Sequence, residues 1–525
     1  MSRMVKVLGC LIVAAVAGYT TGERIGEAAN GEVVRIESGQ IEGMIQDGVR
    51  IFRGVPYAAP PMGPNRWRPP QPVAAWSGIR KATDYCADCP QTPYPMLSVF
   101  YSKPRPQSED CLGLNVWTAA AAGEKQPVMV WIHGGALTRG SGAGESYDGS
   151  RFAKRGVVLV TINYRLGPLG YLAHPELTAE SAGRVSGNYG LLDQVAALQW
   201  VKRNIATFGG DPKRVTIFGE SAGSWSVNAL VASPLARGLF HRAIGQSGGW
   251  FNAGVRLSEA EEVGQNFARA AGVTTLADLR ALPAERVVEL ATSHPEGRKF
   301  RTIVNVDGWA LPDEIRRIFA AGRQNRVPVI VGSNANEMTS LVAPNTIPRT
   351  REALRTQAGR AYGELLPEFE AVYGVAADAD APAAYLGSLR DSVFTWQMRT
   401  WARMTVAAGS EAWLYWFSHA PPIPNSSFFG AFHAGEIPYV FNNFSSRMKV
   451  VPDDHQLAGA MMGYWVNFAK GGDPNGGGLA RWEKYDPRTE PYLELAAPRI
   501  TLKTSLLRPQ LDFIEKVQSR PVAAR

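Results

Sequence analysis

Apolar residues recur along this chain in two rhythms, and each predicts a different element. Residues 127–132 (Pro-Val-Met-Val-Trp-Ile), 157–164, 215–218, 243–246, 328–331 and 414–417 are short, mostly apolar runs. Their length and their β-branched and aromatic content fit strands buried on both faces of a sheet. Between them, Asn188-Tyr189-Gly190-Leu191-Leu192-Asp193 opens a stretch with apolar residues at helical spacing through Val201, and 456–470 and 505–519 also read as helices. Strands alternating with helices predict an α/β fold, with a large, mostly parallel central sheet and helices on both faces. Near the start, residues 32–36 and 40–53 alternate in polarity, which predicts a hairpin around Ser38-Gly39. A long helix-rich segment with Trp396, Trp401, Trp413 and Trp416 fills the interval from Glu337 to His433. There are no repeats and no flexible linker, so residues 30–520 read as one domain.

The first 17 residues obey another rule. Arg3 and Lys6 precede an apolar run from Val7 to Val16, and Ala15-Val16-Ala17 offers small residues at a cleavage site. This is the pattern of a signal peptide, and it predicts a secreted or periplasmic protein. Two readings compete: a lipid-bearing Cys10, although the segment before it is very short, and a retained anchor, although the run is too short to span a bilayer. No later segment looks transmembrane. Of the four cysteines, Cys10 leaves with the signal. The remaining three, Cys86, Cys89 and Cys111, imply one pair and one free thiol in an oxidising compartment. Cys86 and Cys89 have the spacing of a redox pair but lack the βαβ surroundings of one.

Composition narrows the function. Among 525 residues, 45% are hydrophobic and 19% charged, the balance of a globular protein with ample core. The net charge of +8 falls to +6 once the signal's two cations leave. No run of Lys and Arg resembles a nucleic-acid arm, so no nucleic-acid partner is expected.

The chemistry gathers at residues 215–223, Val-Thr-Ile-Phe-Gly-Glu-Ser-Ala-Gly. A strand ends in Gly219, a helix begins after Ser221, and Gly-x-Ser-x-Gly spacing removes bulk where the backbone must bend. The free N–H groups of the following helix point where negative charge would develop. Alone, the pentapeptide also fits an ordinary Gly-rich turn.

Several further motifs occur in one order. They are Phe52-Arg53-Gly54-Val55-Pro56-Tyr57-Ala58, Ser108-Glu109-Asp110-Cys111-Leu112, His133-Gly134-Gly135, Gly187-Asn188-Tyr189-Gly190-Leu191-Leu192-Asp193-Gln194 and Phe208-Gly209-Gly210-Asp211-Pro212. Gln246-Ser247-Gly248 and Phe468-Ala469-Lys470-Gly471-Gly472-Asp473-Pro474-Asn475 follow. Together with the serine motif, these make the chain resemble the type-B carboxylesterase family of the α/β-hydrolase fold, which includes the cholinesterases. The resemblance runs from about Val33 to the region of Trp482. It implies helical insertions forming a cap over the active site, an ester as substrate, and no metal or organic cofactor.

A serine hydroxyl needs a base, and the base needs a group that orients it. In this fold the chain order is nucleophile, acid, histidine. His241, His294, His419, His433 and His455 follow Ser221. His241 reads as helical, His455 starts a helix, His294 lies in a polar loop, and His419, just after the 414–417 strand, is the serious rival. His433 lies in Phe432-His433-Ala434-Gly435-Glu436, which resembles the family's catalytic-histidine loop. Glu337, in Gly332-Ser333-Asn334-Ala335-Asn336-Glu337, resembles its acid loop; a solvated surface glutamate is the ordinary alternative. Asp307 matches a structural position of the family. Where the family has three glycines, this chain has Gly134-Gly135-Ala136. By position, the oxyanion-hole donors are the N–H groups of Gly135, Ala136 and Ala222, and the Ala136 methyl trims the space beside the carbonyl. Glu220 either shapes the electrostatics of the histidine or serves as a buried structural carboxylate. The resemblance also pairs Cys89 with Cys111 and leaves Cys86 free.

The resulting expectation is a serine esterase with Ser221, Glu337 and His433 as its triad. Hydrolysis of amides, carbamates or lactones uses the same machinery, and a catalytically silent binding module is the rival class. In cholinesterases the loop closed by that disulfide carries a Trp for the quaternary ammonium. Residues 90–110 here hold Tyr94, Phe100 and Tyr101 but no Trp, so neutral or anionic esters are expected over acylcholines.

Overall fold

The computed structural model describes residues 31–520. The signal segment expected at 1–17 lies outside the described residues. The central sheet is built from Met44–Gln46 (β1), Val49–Pro56 (β2), Gly113–Thr118 (β3), Gln126–Ile132 (β4), Val158–Ile162 (β5), Gly210–Glu220 (β6), Arg242–Gln246 (β7), Val329–Asn334 (β8), Ala412–Phe417 (β9), Pro491–Leu495 (β10) and Thr501–Thr504 (β11). Their spatial order is β11-β10-β9-β8-β7-β6-β4-β5-β3-β2-β1. All neighbours from β5 to β10 run parallel, and the pairs at both ends run antiparallel.

The apolar runs form strands because both faces of the sheet are covered. Val128, Val130 and Ile132 of β4 join Val215 and Ile217 of β6 in one core cluster. Helices Tyr189–Asn204 (α1), Ala222–Ala232 (α2) and Trp396–Ala407 (α3) pack on that side, contributing Leu198, Val227 and Trp401. The alternate residues Met129, Trp131 and Phe218 face the other way, against Met461, Tyr464 and Trp465 of helix Pro452–Gly471 (α4). A strand so enclosed has no polar face to show, and its sequence therefore loses alternation.

Four local expectations are corrected. The stretch 40–53 is not one strand. Val33–Ile36 does pair antiparallel with Gly39–Glu42, but β1 and β2 then form a second hairpin. Asp47 and Gly48 turn it, with φ of 49° and 76°, as a two-residue turn with two left-handed positions requires. His241 lies in the turn before β7, not on a helix. The C-terminal helix begins at Arg508, and His455 lies within α4, which starts at Pro452. Strands β10 and β11 were not anticipated.

The motif loops between strands are tied by charge and by a disulfide. Arg165 and Asp193, both buried, form a bidentate pair (Nε–Oδ2 2.8 Å, Nη2–Oδ1 2.7 Å). Arg66 of the Pro-rich loop donates to Glu109 at 2.7 Å through Nε. Two residues on, Cys111 is bonded to Cys89, with Cα atoms 5.1 Å apart. Cys86 is a free thiol; burial raises it to about 11, and Asn163 donates to its sulfur at 3.4 Å.

Candidate active site

The serine turn is forced by contact. Ser221 takes φ 55° and ψ −122°, a backbone state that costs a non-glycine residue about 1–3 kcal/mol. Gly223 has no room for a side chain: a Cβ there would lie 2.0 Å from the carbonyl oxygen of Ile132. Gly219 is equally closed, 2.6 Å from that same oxygen. Strand β4 therefore presses on the turn, and only glycine on either side lets the bend close. The Ser221 N–H donates to Gln246 O at 2.8 Å, which ties the bend to β7. Ala222 opens α2, so its N–H has no intrahelical acceptor.

Beside it, the turn after β4 places Gly135 at φ 108° and Ala136 at φ 55°. Ala136 thus holds a left-handed conformation that glycine would take without strain. His133 fixes the base of this turn. Its Nδ1 lies 2.8 Å from Gly134 O, its ring stacks on Tyr164 at 4.4 Å, and the Tyr164 hydroxyl donates to His133 O at 2.7 Å. Burial holds His133 down at about 4, so it stays neutral.

His433 and Glu337 meet across 96 residues of chain, with Nδ1 and Oε2 2.6 Å apart. Glu337 is fully buried in the turn after β8, not a solvated surface group, and it also accepts the Asn334 N–H at 2.7 Å. The other ring nitrogen, Nε2, lies 3.1 Å from Oε1 of Glu220, the residue before the serine. No hydrogen bond joins it to Ser221 among the described residues. Phe394, in a π-type turn at Asp391–Thr395, packs on the imidazole at 4.7 Å, and Phe100 of the disulfide loop meets its edge at 6.2 Å. Burial raises Glu220 well above the usual carboxylate range. For His433 burial opposes the charge, but Glu220 and Glu337 outweigh it and lift the imidazole to about 9.

The rival histidine is engaged elsewhere: His419 Nε2 lies 2.8 Å from Asp454. Asp307 accepts from Asn188 at 2.9 Å and caps the N–H groups of Trp309 and Leu311. One participant was missed. Glu436, three residues after His433 and fully buried, accepts from Gln246 at 3.0 Å and Asn334 at 2.6 Å. Its charge belongs to the group facing the imidazole, and burial raises its carboxyl. The run His433-Ala434-Gly435-Glu436 carried the signal, because three residues is one short turn. Among the described residues, no group of three or more His, Cys, Asp or Glu side chains is arranged to hold a metal ion.

A parallel sheet with a serine at the strand-to-helix bend and an acid–histidine pair on later loops defines the α/β-hydrolase class. Residues 30–514 match the model of the carboxylesterase family, and the chain belongs to that family. It is a carboxylic ester hydrolase. It is 38% identical to fumonisin B1 esterase of Sphingopyxis macrogoltabida over 472 residues, 86% of this chain and 84% of that protein. It is 34% identical to para-nitrobenzyl esterase of Bacillus subtilis (strain 168) over 483 residues, 88% of this chain and 94% of that one. A crystal structure of a Geobacillus stearothermophilus carboxylesterase superposes with a TM-score of 0.78 at 33% identity, covering 92% of this chain and 99% of the other.

Proposed function

We propose that the chain is an exported serine esterase acting through an acyl-enzyme on Ser221, with residues 30–520 as one catalytic domain. Ser221 Oγ attacks the ester carbonyl. His433 takes its proton and passes it to the leaving alcohol, and Glu337 holds the imidazole in the tautomer that leaves Nε2 free to accept. The N–H groups of Gly135, Ala136 and Ala222 receive the oxyanion, and one such donor is worth about 2.7–4 kcal/mol in the transition state. Water then resolves the acyl-enzyme by the same steps in reverse. The carrying observation is the buried 2.6 Å contact between His433 Nδ1 and Glu337, with Nε2 turned towards the serine bend. At rest the imidazole Nε2 lies 3.1 Å from Glu220 Oε1. A substrate that displaces the imidazole from Glu220 towards Ser221 completes the relay, consistent with catalytic hydrogen bonds that tighten only in the bound complex. Export rests on Arg3, Lys6 and the apolar run behind them, and on the Cys89–Cys111 disulfide, a bond that persists in oxidising compartments.

Triad members act as a unit, so Ser221→Ala, His433→Ala and the double variant should each lose similar large factors in turnover of p-nitrophenyl butyrate. Near-normal activity in His433→Ala, with loss in His419→Ala, would overturn the assignment.

A further inference from the structure

Arg139 stands beside the site and has no part in the reaction just described. It closes the turn that carries Gly135 and Ala136, its N–H donating to Gly135 O at 3.1 Å. Gln91 clamps this turn to the disulfide loop, accepting from the Gly140 N–H at 2.7 Å and donating to Gly140 O at 2.9 Å. From there the Arg139 guanidinium lies over the Tyr94 ring at 4.8 Å, Tyr94 packs on Phe100 at 5.6 Å, and Phe100 meets His433. A cation and two rings thus lead from the oxyanion turn to the imidazole.

No carboxylate lies within ion-pair distance of Arg139 among the described residues. Three arginines with largely covered side chains are paired, Arg66 with Glu109, Arg280 with Glu180 and Arg390 with Asp391, whereas Arg53 and Arg242 have no carboxylate partner among the described residues. The acids nearest the site are otherwise occupied, since Glu337 and Glu220 face His433 and Glu436 is held by Gln246 and Asn334. Tyr94 takes the face of the guanidinium and leaves the in-plane N–H donors at its edge, which match a carboxylate two at a time.

Resting on the esterase reading above, we infer that Arg139 determines specificity by binding a second carboxylate on the substrate. The preferred esters are then half-esters of di- or polycarboxylic acids, with the spacer lying along Tyr94 and Phe100.

The test compares kcat/KM for monoethyl succinate, glutarate and adipate with that for neutral ethyl esters of the same acyl length. At least one half-ester should exceed its neutral counterpart by about tenfold or more at low salt, and the ratio should shrink as salt rises from about 20 to 300 mM. In Arg139→Gln the ratio should fall about tenfold, mainly through KM, and Arg139→Lys should restore part of it. A wild-type ratio near one, a ratio indifferent to salt, or equal losses on both ester types in Arg139→Gln would overturn the inference. If the wild type cleaves neither ester type, or Ser221→Ala cleaves both, the esterase reading fails instead.

Discussion

Around His433 the decisive effect is competition between burial and charge. Burial alone would keep the imidazole neutral, yet Glu220 and Glu337 raise it to about 9, while burial raises Glu220 in turn. Two groups 3.1 Å apart that both favour holding a proton titrate as a pair. In the proposed mechanism the imidazole must be neutral to act as a base, so activity should rise with pH as the pair loses its proton. Glutamine at 220 carries no charge to favour the imidazolium. Glu220→Gln should therefore shift the acid limb of the kcat/KM profile towards lower pH, by about one unit. An unmoved limb would show that Glu220 is merely a buried structural carboxylate.

The loop between Cys89 and Cys111 is an element without regular structure that nevertheless has a fixed course. The disulfide closes a separation of 22 residues, and Gln91, Phe100 and Arg105 contact Gly140 of the turn after β4, His433 and Tyr85 respectively. Cross-linking a loop of this length contributes about 3 kcal/mol by restricting the unfolded chain. Cys111→Ser should lower stability by roughly that amount in urea unfolding, and an unchanged midpoint would show that the other contacts suffice. Cys86 should not replace the lost partner, because its half-buried thiol is raised to about 11. In the folded wild type it should react slowly with a thiol reagent at pH 8, and at once after denaturation.

For the whole molecule, charge and aromatic placement act in the same direction. The chain is net positive, which gives a cationic substrate no long-range attraction. Two of the three aromatic rings in the disulfide loop already carry a cation, with the Arg139 guanidinium over Tyr94 and that of Arg447 over Tyr101 at 4.7 Å. Butyrylcholine should therefore be cleaved more slowly than a neutral butyrate ester of similar size. A choline preference of tenfold, about 1.4 kcal/mol, at low and high salt alike would reveal an ammonium site elsewhere in the molecule.

What the sequence determined by itself were the features with local causes. Continuous apolar runs mark strands covered on both faces, and the glycines flanking Ser221 mark a bend where no side chain fits. By resemblance to the family, the motifs around Glu337, His433, Cys89 and Cys111 singled out those four residues before any contact was known. Strands β10 and β11 escaped because Pro491–Leu495 opens on a proline and is interrupted by Glu494, and Thr501–Thr504 is an edge strand with a mostly polar, solvent-facing sequence. The resting posture of His433 on Glu220, the stacking of Arg139 on Tyr94, and the hold of Gln246 and Asn334 on Glu436 were decided only by the tertiary structure. Those last two hydrogen bonds span 190 and 102 residues. Periodicity records which face of an element is buried; which side chain a buried group meets depends on how distant elements pack, and no local pattern carries that information.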